Sequence, residues 1–344
     1  MEAAIVTCLG SSPQILSQSA ASDHRILMTA ARPPTWKILL AFAIIYLVWG
    51  STFLAIRVGV QEMPPFLMAG LRFTAAGLLL YIWMRLQGTP SPSWREWRSA
   101  TLLGTLMFLI DYACLFWAEQ RVPSGVAAVV LAMIPAFIAT LEIALGAQRL
   151  TARLGFGLLL GILGVVVLMN PWTSLGEAPL DRRGGVALLV ACAGWSMGTI
   201  VTKRLVLPPS KPMSAATQMF TGGVQLLLLA WIAGEFSSFH PRFISGRAWF
   251  SLVYLIVAGS LVAFTAYVWL LHYESPTRVG TYAYVNPVVA VIVGAALGGE
   301  TMGRRTLLGT ALVLISVAAI TTAKGRRMVH AAKAAGTLER AAAD

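Results

Sequence analysis

The chain has 344 residues, of which 57% are hydrophobic and only 12% charged; its mean hydropathy is +0.74 and its formal net charge +12. A soluble domain carries about 25% charged residues, so this chain cannot cover a water-facing surface and reads as a polytopic membrane protein. The positive charge is scattered through short connections, without a basic face or an aromatic-interleaved motif. Topology signalling is therefore preferred to nucleic-acid binding.

Residues 1–37 read as a cytosolic lead-in. The first 27 hold neither a basic n-region nor a continuous apolar run, so they make no persuasive signal peptide. Met28 opens MTAARPPTWK, and translation is expected to begin there. Ten apolar segments follow. Those of the first half are Ile38–Ile56, Pro65–Met84, Ala100–Ala118, Ser124–Leu145 and Leu154–Asn170. Those of the second are Gly185–Thr202, Ala215–Gly234, Ala248–Leu271, Thr277–Leu297 and Thr306–Thr322. About 20 residues at 1.5 Å each cross a ~30 Å hydrocarbon core, so each segment predicts a membrane helix. Five fall in 38–172 and five in 184–322, with a basic tail at 323–344, and most connections are too short to hold a catalytic module.

With the N-terminus in the cytosol, sixteen Lys and Arg fall on the inside and eight on the outside, which predicts both termini inside. Five helices per half then invert the second half relative to the first. The cysteines Cys8, Cys114 and Cys192 show no metal-binding spacing, and the four histidines are far apart, so no metal or cofactor is expected. No phosphate-binding loop is present, so ATP hydrolysis is not the expected energy source.

The most informative segment contains Asn286-Pro287 near its midpoint. Proline lacks a backbone N–H and crowds the carbonyl four residues earlier, here that of Ala283. Lipid cannot satisfy a bare carbonyl, so a polar pocket is expected there. Pro135 frees the Leu131 carbonyl in the same way, 152 positions earlier. At that offset Leu145 falls on Leu297, Gly146 on Gly298, Arg153 on Arg305 and Gly157 on Gly309. Such a repeat predicts a transporter built from two related halves.

The combination of LVWGSTFLAIRVG (Leu47–Gly59), LMAGLRF (Leu67–Phe73), FWAEQRVPSGVAA (Phe116–Ala128) and TYAYVNPVVAVIVGAALGGE (Thr281–Glu300) resembles the EamA-type transporters of the drug/metabolite transporter superfamily. The resemblance covers about Ile38 to Thr322. It implies ten helices around a central cavity lined by helices one, three, four, six, eight and nine, and export of small metabolites, amino acids or toxic compounds. One departure is Gln148, at the position matching Glu300.

Arg72 and Asp111 lie inside apolar segments, where a lone charge costs at least ~2.5 kcal/mol on insertion scales. Pairing would relieve both, and a protonatable Asp111 could couple transport to a proton gradient. Alternatively Arg72 anchors carbonyls of broken helices and Asp111 is a satisfied helix contact. The expected substrate cavity comprises Trp49, Thr52, Tyr112, Trp117, Met133, Trp195, Tyr267, Tyr282, Tyr284 and Asn286, with kinks at Pro135 and Pro287. Rings stack on amphipathic or cationic solutes, and packing is the competing role. Gly157-xxx-Gly161 suits packing within the chain better than an oligomer seam, though a homodimer is kept as an expectation. The other expected partners are a small-molecule substrate and the bilayer.

The sequence thus predicts an all-α integral membrane protein, with ten transmembrane helices in two inverted five-helix repeats around a central cavity. Its expected function is secondary active transport by alternating access, with export through the bacterial inner membrane. A membrane-embedded enzyme acting on a lipid-linked substrate is the alternative; the sparse, scattered acids argue against it.

Overall fold

The computed structural model describes residues 33–169, 181–274, 276–300 and 303–321. Met28, Trp172 and the basic tail 323–344 lie outside the described residues. Residues 1–39 make one contact unit, whose described part opens the first helix; residues 40–344 make the other and carry the architecture below.

The helices are α1 (Thr35–Val60), α2 (Pro65–Leu86), α3 (Trp94–Glu119), α4 (Ser124–Ala144), α5 (Ala152–Met169), α6 (Arg182–Thr202), α7 (Lys211–Ile232), α8 (Gly246–Tyr273), α9 (Tyr282–Gly298) and α10 (Arg304–Thr321). Among the described residues nine are long and apolar enough to cross a membrane, α9 is a shorter apolar helix, and no strand occurs. The chain is an all-α membrane protein of about ten helices.

Several helices begin earlier than their apolar runs, because caps set the start. Ser93 and Glu96 form a reciprocal capping box, so α3 starts six residues before the predicted Ala100. The Asp181 carboxylate accepts the Arg183 and Gly184 amides and starts α6, and the Ser210 hydroxyl accepts the Met213 amide and starts α7.

Two helices contain a stretch of wider π-type winding that hydropathy does not signal. It spans Gly104–Ile110 in α3 and Leu255–Val262 in α8. Shifted by 152 positions, the first stretch falls within the second, the same offset that relates the two prolines. The prolines themselves behave differently from the sequence expectation. The backbone of α4 turns at Ala132–Met133, and Pro135 is the second residue of the segment Ile134–Ala144. Pro287 does not interrupt α9, which is continuous from Tyr282 to Gly298; the chain turns instead at Gly280–Thr281. Pro135 thus sits in the first turn of its segment, where the missing N–H is least disruptive, whereas Pro287 is the sixth residue of α9, where it removes the bond that the Ala283 carbonyl would otherwise accept. Pro287 is buried and Pro135 half-buried.

Packing follows the repeat. α2 lies on α7, α4 on α9, and α5 on α10. α3 contacts α6 and α7, while α8 contacts α1 and α2. α4 contacts α6, and α9 contacts α1. Exchanging the two halves maps this set of contacts onto itself. The α2–α7 crossing depends on two glycines. A Cβ on Gly77 would lie 2.4 Å from the Phe220 amide nitrogen, and one on Gly223 would lie 2.3 Å from that of Thr74. Gly157 and Gly161 meet α10 and Met133, and the Ser316 hydroxyl donates to the Gly157 carbonyl at 2.6 Å, so this GxxxG motif packs within the chain.

Candidate functional site

The π-type stretch of α8 brings α1 and α2 together. The Trp49 indole N–H donates to the Gly259 carbonyl at 3.0 Å, and the Thr52 hydroxyl turns back to the Trp49 carbonyl at 2.6 Å. Gly259 allows the close approach: a Cβ there would lie 3.0 Å from Thr52 Cγ2 and 3.3 Å from Arg72 Nη2. At the next residue, the Ser260 hydroxyl accepts from Arg72 Nε at 3.2 Å. One turn of α8 thus positions both an indole and a guanidinium. Such insertions recur at functional sites because they re-aim groups without ending the helix.

Arg72 is 4% exposed, its guanidinium lies 5.4 Å from the Tyr112 ring centre, and its Nη1 has no hydrogen-bond partner. The expected pairing with Asp111 is not formed. Asp111 is buried and its Oδ1 has no partner either. The reason is geometric. Arg72 is turned toward Ser260 and packs over Tyr112, and adjacent helical side chains such as Tyr112 and Asp111 diverge by about 100°.

Two groups of rings flank this turn. Trp49, Tyr267 and Tyr282 form a triangle with centres 5.0, 5.5 and 6.0 Å apart. Tyr112 contacts Phe73, Phe108, Phe116 and Trp195 at 4.3 to 6.4 Å. Trp49 on α1 and Trp195 on α6 stand 146 positions apart, as do Gly50 and Ser196. The latter pair meets equivalent points of the repeat. A Cβ on Gly50 would lie 3.2 Å from the Asn286 carbonyl oxygen, and the Ser196 hydroxyl donates to the Ile134 carbonyl at 3.2 Å.

The remaining expected residues lie apart from this turn. The Tyr284 hydroxyl donates to the Val317 carbonyl of α10 at 3.4 Å. Trp117 is covered by the Arg121 guanidinium, 3.7 Å from its ring, near the end of α3. Met133 faces an apolar crevice of about 540 Å³ between α4, α5 and α6, which Phe137, Ile162 and Met169 also line. Asn286 keeps its Oδ1 buried without a partner. Near the α4 turn, α6 supplies further donors to backbone carbonyls: the Cys192 thiol reaches Val130, which also accepts the Met133 amide, at 3.4 Å, and Ser196 reaches Ile134. Among the described residues, no cluster of His, Cys, Asp and Glu could hold a metal ion.

Sequence reasoning overlooked Ser260, Gly259, Ser196 and the role of Arg57. The Arg57 side chain donates to the Glu119 carbonyl at 3.0 Å, also bonds the Val122 carbonyl, and pairs with Glu300 at 3.3 Å. Lys203, 146 positions later, pairs with Glu142 at 3.3 Å. Matching the two halves at this offset would have linked Arg57 to Lys203; nothing in the sequence marks Ser260.

Repeated apolar helices with polar groups gathered at interrupted turns define a helical membrane transporter. The EamA-like transporter family model matches this chain twice, over residues 35–170 and 182–322, and the chain belongs to that family. It is 36% identical over 282 residues to a protein named uncharacterized inner membrane transporter YedA of Escherichia coli K12, covering 81% of this chain and 89% of that one. It is 27% identical over 280 residues to a probable amino-acid metabolite efflux pump of Salmonella typhimurium, covering 79% and 90%. Protein PecM of Dickeya dadantii is 27% identical over 268 residues, covering 77% and 86%. A protein crystal structure superposes with a TM-score of 0.56 over 85% of this chain and 98% of the other; at 22% identity the likeness is one of fold.

Proposed function

We propose that this protein is a secondary active transporter that exports small metabolites, amino acids or amphipathic compounds through the inner membrane by alternating access, with both termini cytosolic. The observation that carries this reading is a pair of ion pairs whose basic members, Arg57 and Lys203, are related by the repeat, although their acidic partners stand at non-equivalent positions. Arg57–Glu300 joins the C-terminal ends of α1 and α9, and Lys203–Glu142 joins those of α6 and α4. α1 and α6 are five crossings apart, so their ends open on opposite faces. Each ion pair then closes one face, and releasing one while keeping the other exposes the site around Trp49 and Arg72 to one side at a time. The names of the relatives support the inner membrane and export, and the distribution of basic residues supports the orientation.

The test is solute flux in proteoliposomes. Saturable uptake with counterflow is expected. Linear, unsaturable flux would indicate a channel, and turnover of a lipid-linked compound without flux would indicate an enzyme.

A further inference from the structure

We infer that Arg72 is the anchor for a single carboxylate on the transported solute, and that the solute carries an apolar or aromatic body. The inference rests on the transporter reading above and names the class of substrate.

A guanidinium buried to this extent needs an acceptor for its outward N–H groups. Its Nε is bound to the Ser260 hydroxyl and its Cζ lies 4.6 Å from the Phe73 ring centre and 5.4 Å from that of Tyr112, while Nη1 is buried without a partner. Among the described residues no carboxylate forms an ion pair with Arg72, and no backbone carbonyl accepts from it. A structural anchor for broken helices would bond such carbonyls, as Arg57 does near the end of α1. Arg72 is instead held by a hydroxyl and the Phe73 and Tyr112 rings; the buried Glu119 carboxylate acts on it only through space, so among the described residues no acceptor contacts its Nη1. An oxyanion supplies that acceptor through a charge-assisted hydrogen bond.

A carboxylate is favoured over a phosphate because the site offers a single positive charge. The other cation nearby in the repeat, Arg57, is already paired with Glu300. The apolar body follows from the flanking rings. Tyr112, against which Trp195 packs at 6.4 Å, lies beside the guanidinium, and Trp49 is hydrogen-bonded to the residue before Ser260.

The test uses purified protein in nanodiscs and titrates 3-phenylpropionate, 3-phenylpropionamide and 3-phenylpropyl phosphate by calorimetry. The carboxylate is expected to bind at least tenfold tighter than the amide and tighter than the phosphate. Arg72→Gln should reduce the carboxylate preference to within twofold, and Ser260→Ala, a milder change, should weaken carboxylate binding severalfold while sparing the amide. Equal affinity of the wild-type protein for carboxylate and amide overturns the inference, as does a preference for the phosphate. Binding of none of the three alongside saturable flux of a neutral solute overturns it too. Retention of the preference in a folded Arg72→Gln protein does the same. Failure of the transporter reading is distinct: the carboxylate would bind with the expected preference but show no saturable flux in proteoliposomes.

Discussion

Arg57 reaches from the end of α1 to within 3.3 Å of Glu300, and the same carboxylate accepts the Ser124 and Gly125 amides that open α4, at 2.7 and 3.1 Å. One carboxylate therefore joins α1, α4 and α9. Glu300→Ala removes an ion pair and two caps together and should destabilise the protein by about 2–4 kcal/mol. Lys203→Ala, whose side chain is 67% exposed, should cost less than ~1 kcal/mol. Unfolding midpoints of the purified variants check the order, and equal losses would remove the distinction.

The turn in α4 depends on donors from α6. Replacing Ser196 with alanine leaves the Ile134 carbonyl without that hydroxyl. Interhelical hydrogen bonds in membranes average about 0.6 kcal/mol, with a maximum near 1.7, so a loss in that range is expected. Cys192→Ser should be close to neutral, because serine also offers a donor to Val130. Denaturation of both variants in mixed micelles measures the difference.

Gly77→Ala and Gly223→Ala should disrupt the α2–α7 crossing. Each new methyl meets backbone of the facing helix, which cannot rotate away. Overpacking of this kind costs about 1–3 kcal/mol, and reduced yield of folded protein is the expected readout. Gly246→Ala, where nothing lies within 4 Å of the added atom, is the control expected to behave as wild type.

Two loop glutamates should respond to pH in opposite directions. Hydrogen bonds from the Ser245 amide and hydroxyl, at 2.6 and 2.7 Å, hold Glu62 below its ordinary pKa. Its stabilisation is full above the unfolded value near 4.3 and is lost as pH falls through the lower folded value. Desolvation raises Glu235, whose carboxylate accepts the Phe66 and Leu67 amides. Its contribution is present below the unfolded value and is lost as pH rises through the folded one. Glu62→Gln should flatten the acid limb of a stability–pH curve, and Glu235→Gln should remove the decline above it. Unchanged limbs would contradict the assignment.

The helices and their repeat were legible because lipid imposes length and apolarity on every crossing, and the prolines fixed an offset that the π-type stretches also obey. The site was legible in part. Trp49, Thr52, Arg72, Tyr112, Trp195, Tyr267 and Tyr282 gather around the Gly259–Ser260 turn, whereas Tyr284 and Met133 face α10 and α5. A proline shows where a bond is missing but not where the backbone turns: α4 bends at Met133, and α9 remains intact through Pro287. Hydropathy likewise gives a charge a depth but no direction, so Arg72 and Asp111 looked like partners although their side chains do not meet.

Access to the turn that joins Trp49, Thr52 and Arg72 is the most direct measure of alternating access. Thr52→Cys, in a protein with Cys8, Cys114 and Cys192 changed to serine, can be exposed to a membrane-impermeant thiol reagent in right-side-out and in inside-out vesicles. The account predicts labelling from both faces, shifted toward the Glu300 face by Arg57→Ala and toward the Lys203 face by Lys203→Ala. Labelling from neither face, or from one face only and unmoved by both variants, would contradict it.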